Sequence, residues 1–361
     1  MSNAMHTLRR FRAAAIGVIG VATVGLWSAS AGWWGRADAA RPSVEHSRDA
    51  ASSRHPTPPL PLPEPPPPAL SLPIARAPSR PAREPFREFT SERTESLYLT
   101  SGPVPGVAHP NALVYVPAGL DRRAPLSVVV FFHGWHGCAS VVAGADVAPC
   151  VPHGHRRVPL GLVRQMRAAR ADAVLIVPQF AMDVAATEPG TFRDDGGFRR
   201  FLAEILARIE PHVGLHRVDD LARVVLASHS AGFVPLLHAL ERGGVPVTEV
   251  ALFDSMYDHR VRFEHWVMTH AGRFNALSRH AMRFVCVYQD PGIAGAARRM
   301  AVSLQKYFAS RGRRDVVFVR DDPARLQPGE AHAAIVFARV PGDHAMTARA
   351  NFAAVLRGAG L

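Results

Sequence analysis

Five residues, Ser228-His229-Ser230-Ala231-Gly232, form the arrangement in this 361-residue chain best suited to covalent chemistry. The apolar run Val224-Val225-Leu226-Ala227 leads straight into them. A helical pattern through Phe233, Leu236, Leu237 and Leu240 follows, closed by Gly243-Gly244. A strand that turns into a helix within a few residues exposes the side chain at the turn, so the Ser230 hydroxyl is set up as a nucleophile. The turn also crowds the residues two before and two after it, which must be small. Gly232 meets that demand, and Ser228 meets it with a residue slightly larger than glycine. The helix behind the turn points its N-terminus at the site and favours negative charge developing there.

These residues need a rigid frame, and the apolar pattern supplies one. Strands are predicted at 97–100, 112–116, 126–132, 173–177, 223–227, 250–253, 284–288 and 316–319. Several are continuously apolar, as strands buried on both faces of a parallel sheet must be. Phe198, Phe201, Leu202, Ile205, Leu206 and Ile209 form a stripe at helical spacing. Further helices are predicted at 159–170, 231–242, 293–311 and 346–357. Early strands without helices, then regular alternation, predict an α/β fold. Its sheet is mostly parallel and eight-stranded, with an antiparallel start and helices on both faces.

With strand, elbow and helix in this order, the chain resembles the α/β-hydrolase superfamily, in its lipase and esterase-like branch. Ser228-His229-Ser230-Ala231-Gly232 matches the superfamily's elbow motif except that Ser228 stands where the first glycine is usual. As a strand and helix order the resemblance spans 96–361. It implies an oxyanion loop after an early strand, and Val128 to Phe132 lead into His133-Gly134-Trp135-His136-Gly137. The backbone N–H groups of Trp135 and Ala231 are then the expected oxyanion donors. The resemblance also implies a late histidine as general base. Of His332 and His344, the latter sits in the tight loop Pro341-Gly342-Asp343-His344, after the apolar run 334–337 and before the last helix. His332 precedes that run and is expected at the opposite edge.

Two carboxylates compete for the acid. Asp290 follows the seventh strand, the commoner position in the superfamily, but Asp290-Pro291 also fits a helix N-cap with proline at the first turn. Asp254 ends the sixth strand in Phe253-Asp254-Ser255-Met256-Tyr257, where some lipases carry their acid, and no cap role is evident for it. Asp254 is favoured, and Asp343 beside the base is a weaker third choice.

Composition excludes several other classes. A hydrophobic fraction of 48% and 18 Phe argue against a wholly disordered chain, and three cysteines are too few for a disulfide scaffold. The net charge of +12 is carried by scattered arginines, with Lys306 the single lysine and no aromatic-interleaved basic stripe, so no nucleic-acid partner is expected. Met1-Ser2-Asn3-Ala4 before Met5 reads as an expression scar. Arg9, Arg10 and Arg12 then precede an uncharged stretch over 13–34 and small-residue cleavage sites at Ala29-Ser30-Ala31 and Ala37-Asp38-Ala39. Residues 1–40 are therefore expected to be a secretory signal or an uncleaved anchor, and the product periplasmic or extracellular. Residues 41–95 form a linker whose 56–85 stretch holds 13 prolines, an extended spacer. One domain is expected over 96–361.

His133, His136, Cys138, Cys150, His153 and His155 are metal-ligand types, but their spacing fits no common zinc pattern, so no metal is expected. In an oxidising compartment Cys138 and Cys150 are expected to pair, with Cys286 a buried core residue. Trp135, the segment 180–197 with Met182 and Phe192, and the loop of Cys138 and Cys150 are candidate pocket walls. The expected activity is cleavage of a small or polymeric carboxylic ester through an acyl-enzyme, with no cofactor. Amide cleavage, acyl transfer to another acceptor, and a non-catalytic binding role on the same fold are the alternatives. Oligomeric state and natural substrate stay open.

Overall fold

The computed structural model describes residues 89–107, 109–144, 159–181, 188–257, 259–275, 281–327 and 329–361. The expected signal over 1–40 lies outside them, as does the expected linker over 41–95 as far as residue 88; residues 89–95 instead join the fold, Phe89 bridging Asp121 and Arg93 opening the first strand. All described residues belong to the unit Ser79–Leu361.

A nine-stranded sheet organises this unit. Its strands are β1 (Arg93–Leu97), β2 (Ala112–Val116), β3 (Ser127–Phe132), β4 (Val174–Pro178), β5 (Arg223–His229), β6 (Glu249–Phe253), β7 (Arg283–Tyr288), β8 (Val317–Arg320) and β9 (Ile335–Arg339). They lie in the order β1-β2-β4-β3-β5-β6-β7-β9-β8. β1 pairs with β2 and β2 with β4 antiparallel; every other pairing is parallel.

Strand number departs from the expected eight. The run 334–337 becomes β9, which slots between β7 and β8, so the chain reaches the sheet edge at β8 before returning inward. The first strand also comes earlier than 97–100. Leu99 is buried, yet its backbone pairs with the Asn111 carboxamide instead of a strand: Leu99 N–H donates to Asn111 Oδ1 (2.8 Å) and Asn111 Nδ2 donates to Leu99 O (2.7 Å). A side-chain amide presents the same donor and acceptor as a peptide, so it satisfies the chain as it leaves the sheet.

Side chains alternate across the sheet and divide the core in two. Val128, Val130 and Phe132 pack on one face, beneath helices α3 (Gly197–Val213), α4 (Phe233–Arg242), α5 (Arg260–Thr269) and α6 (Pro291–Ala309). Val129 and Phe131 pack on the other, beneath α1 (Ala139–Ala143), α2 (Leu162–Ala169) and α7 (Met346–Gly358). The predicted stripe of α3 is wholly buried. Two helix layers over a sheet explain why the parallel strands are apolar on both faces. The chain steps one way from β3 to β4 and the other way from β4 to β5. That reversal opens a crevice at the carboxyl ends of β3 and β5, where such sheets bind ligands.

Candidate active site

Register brings the expected residues to that edge. Phe132 of β3 pairs with Ser228 of β5, and His229 of β5 pairs with Phe253 of β6, so Ser230 and Asp254 leave adjacent strands at the same height. Ser230 stands between β5 and α4 with φ +57°, a left-handed conformation that a non-glycine residue adopts only when its surroundings impose it. The crowding is visible at Gly232, where a Cβ would stand 2.2 Å from the Phe132 carbonyl oxygen. Ser228 tolerates its position because its hydroxyl is used: Ser228 Oγ lies 2.8 Å from Ser255 Oγ, which donates to the Ser230 carbonyl at 2.6 Å. Two buried hydroxyls thus tie the elbow to the loop after β6.

Asp254 is fully buried and also left-handed, at φ +44°. Its Oδ1 accepts from the backbone N–H of Gln289 (2.8 Å) and Asp290 (3.2 Å), and its Oδ2 lies 3.2 Å from His344 Nδ1. A buried carboxylate needs such donors to replace its lost hydration, and here they come from the end of β7. Asp290 is used differently. Its side chain caps α6, accepting from Gly292 N–H at 2.7 Å, with Pro291 in the first turn. The two carboxylates therefore sit side by side, and Asp254 is the one on His344.

Strand order, a left-handed serine between β5 and α4, and a late histidine resting on the aspartate after β6 decide the architecture. The fold is the α/β-hydrolase fold. Strands β1 to β7 follow its usual order, β9 takes the place of its last strand, and β8 is an additional edge.

The α/β-hydrolase elbow is flanked by the loop after β3. Gly134 lies against Ser230: a Cβ there would meet Ser230 Cβ at 2.7 Å and Oγ at 3.1 Å. His133 is buried and clips this loop in shape. Its Nδ1–H donates to Gly134 O (2.9 Å) and its Nε2 accepts from Phe180 N–H (3.3 Å), a structural use of both ring nitrogens. Gln179, which the sequence reading passed over, closes the same loop by donating to Gly137 O (3.2 Å) and accepting from Ala139 N–H (2.7 Å). Trp135 follows Gly134 with 59% of its surface exposed, and Ala231 follows Ser230 and is buried. Among the described residues no group of three or more metal-ligating side chains gathers. Cys150, His153 and His155 lie outside the described residues, and with them the partner expected for Cys138, which is buried with its Sγ 3.2 Å from Ser140 Oγ. Cys286 is free and buried, and burial and nearby Asp254 push its thiol pKa up.

Other side chains emerge that sequence reasoning did not single out. Tyr257 is 38% exposed, and its ring packs on Phe233 at 6.1 Å. Burial, then the charges of Asp290 and Asp254, raise its pKa, so the phenol stays neutral. Only its place three residues after Asp254 could have signalled it. Phe192 was expected as a pocket wall, and the structure corrects this. It is fully buried, ringed by Phe132, Phe180, Phe198 and Phe201 with centroids 5.1–6.2 Å away, because that aromatic cluster offers more apolar contact than a cleft rim could. Met182 of the same segment lies outside the described residues. His332 sits in a 3₁₀ turn before β9, away from the carboxyl edge where β9 delivers His344.

No family model matches the sequence, and no curated protein matches it either. Among solved structures, the chain is similar to the feruloyl esterase module from Clostridium thermocellum complexed with sinapinate, at 12% identity and a TM-score of 0.45 over 74% of this chain and 87% of that one. It is also similar to ferric enterobactin esterase from Salmonella typhimurium, at 14% identity and a TM-score of 0.40 over 75% of this chain and 58% of that one. A third similarity is to S-formylglutathione hydrolase from Staphylococcus aureus, at 10% identity and a TM-score of 0.39 over 74% and 97%. Among the described residues no helix is long and apolar enough to cross a membrane.

Proposed function

We propose that this chain is a serine hydrolase that cleaves a carboxylic ester. The observation carrying the reading is the 3.2 Å contact between Asp254 Oδ2 and His344 Nδ1, made beside the left-handed Ser230. A carboxylate on Nδ1 holds the proton there and leaves Nε2 as the free base, which is the tautomer that can take the serine proton. Ser230 Oγ then attacks the ester carbonyl while His344 accepts the proton. Collapse of the tetrahedral intermediate expels the alcohol, protonated by His344, and water releases the acid by the same route. The N–H groups of Trp135 and Ala231 hold the oxyanion. The closeness of Gly134 to Ser230 supports this, since it brings the loop backbone within reach of the reacting carbon. Asp290 has no part in the reaction and caps α6.

Treating the full chain with a fluorophosphonate and measuring intact mass tests the reading without a known substrate. The expected result is one adduct on the wild type and none on Ser230→Ala. A folded wild type that takes no adduct overturns it and leaves a binding role on this fold. Export through residues 1–40 and a bridge between Cys138 and Cys150 complete the reading. Peptide mapping without reductant is expected to yield the joined peptides, and two free thiols would remove the bridge.

A further inference from the structure

The residue before the nucleophile makes two contacts that elbow geometry does not require. His229 Nε2 lies 3.0 Å from the carbonyl oxygen of His344, and the two imidazole rings meet with centroids 4.4 Å apart at 42°. A carbonyl only accepts, so His229 carries its proton on Nε2. Thr347 Oγ1 donates to the same carbonyl at 2.8 Å, so the oxygen of His344 holds two donors. The His344 side chain itself is 37% exposed and sits on a short loop after Gly342, which has φ +110°. Its Nδ1 contact with Asp254 constrains one edge of the ring; nothing in that contact fixes the plane.

We propose that His229 is a positioning residue for His344, its Nε2–H anchoring the His344 main chain and its ring face holding the imidazole plane. The inference rests on the triad reading and adds to it how a half-exposed base is kept in line. A base misplaced by about 1 Å can cost about 10²-fold in rate, so a ring support of this kind has a measurable consequence. The groups facing His229 are His344, Asp254 and Asp343. Burial, followed by the neighbouring His344, holds its pKa down to about 4. At neutral pH His229 is therefore uncharged and does not oppose the imidazolium that forms on His344 during turnover. The sequence offers no sign of this contact, because the two histidines are 115 positions apart.

His229→Gln and His229→Phe separate the two contacts. A glutamine amide reaches about as far as Nε2 and keeps the donor, whereas phenylalanine keeps a ring and loses the donor. The readouts on the full chain are p-nitrophenyl acetate kinetics against pH and the low-field proton resonance of the Nδ1–H between His344 and Asp254. His229→Phe is expected to lower kcat about 10- to 100-fold with KM little changed, and to broaden the low-field resonance. His229→Gln, which keeps the donor and loses the ring face, is expected to recover part of the loss and part of the resonance. The kcat/KM profile against pH keeps its shape in the glutamine variant. If phenylalanine does not fold, His229→Asn, whose amide stops short of the carbonyl, takes its role. A donor-less variant with wild-type kcat and a sharp resonance overturns the proposal, as does an equal fall in all variants with KM rising. The resonance needs no turnover, and fluorophosphonate labelling of the wild type reports the nucleophile, so failure here is distinct from failure of the triad reading.

Discussion

Asp254→Asn is expected to lower kcat toward esters by about 10⁴-fold, while Asp290→Asn stays within a few-fold of wild type. The two residues follow adjacent strands, yet their surroundings assign them different work. Asp254 takes two backbone N–H groups on Oδ1 and turns Oδ2 to His344, so its charge holds the imidazole proton on Nδ1. An asparagine keeps the backbone bonds through its carbonyl and presents an N–H to the imidazole. That forces the imidazole proton onto Nε2, where it can no longer accept from Ser230. Asp290 keeps an acceptor oxygen for Gly292 N–H when amidated, because asparagine is itself a good N-cap. Steady-state turnover of a p-nitrophenyl ester by both variants, with melting temperatures alongside, checks this. A near-normal Asp254→Asn enzyme would falsify the assignment.

Ser230→Ala and His344→Ala are each expected to reduce kcat by about 10⁶-fold, and the double variant to be no worse than either. Nucleophile and base act as one unit: without a base the serine hydroxyl stays protonated, and without the hydroxyl the base has nothing to activate. Their losses therefore overlap. Some rate above that in water should survive in all three, because donors aimed at the oxyanion still favour attack by water. Measured kcat values for the two single variants and the double variant decide the matter. Additive losses near 10¹² would mean that Ser230 and His344 work in separate steps.

Much of this architecture is legible in local patterns. Continuous apolar runs mark strands covered on both faces, and all eight predicted runs lie in or beside observed strands. The α3 stripe gave its buried face correctly, because side-chain periodicity records which side of an element meets the core. The elbow was equally legible. A strand, a tight turn with Gly232, and a helix are short-range features, and the steric demand at Gly232 comes from the turn itself. Ser228 looked like a tolerated deviation; in the structure its hydroxyl is part of the link to Ser255.

Contacts between residues far apart in the chain were decided only by the tertiary structure. Asp254 meets His344 across 90 positions because β9 enters the sheet beside β7, an insertion that no local pattern in 334–337 announces. Phe192 left the expected pocket wall for an aromatic cluster whose other rings come from three separate segments. β1 began early because the Asn111 amide replaced a strand partner for Leu99. The sequence by itself determined a strand-and-helix alternation carrying Ser230 at a sharp turn, since backbone sterics and apolar periodicity act within a few residues. Which carboxylate meets His344, and which histidine packs against it, followed from strand order and register, and these depend on how the whole sheet packs between its two helix layers.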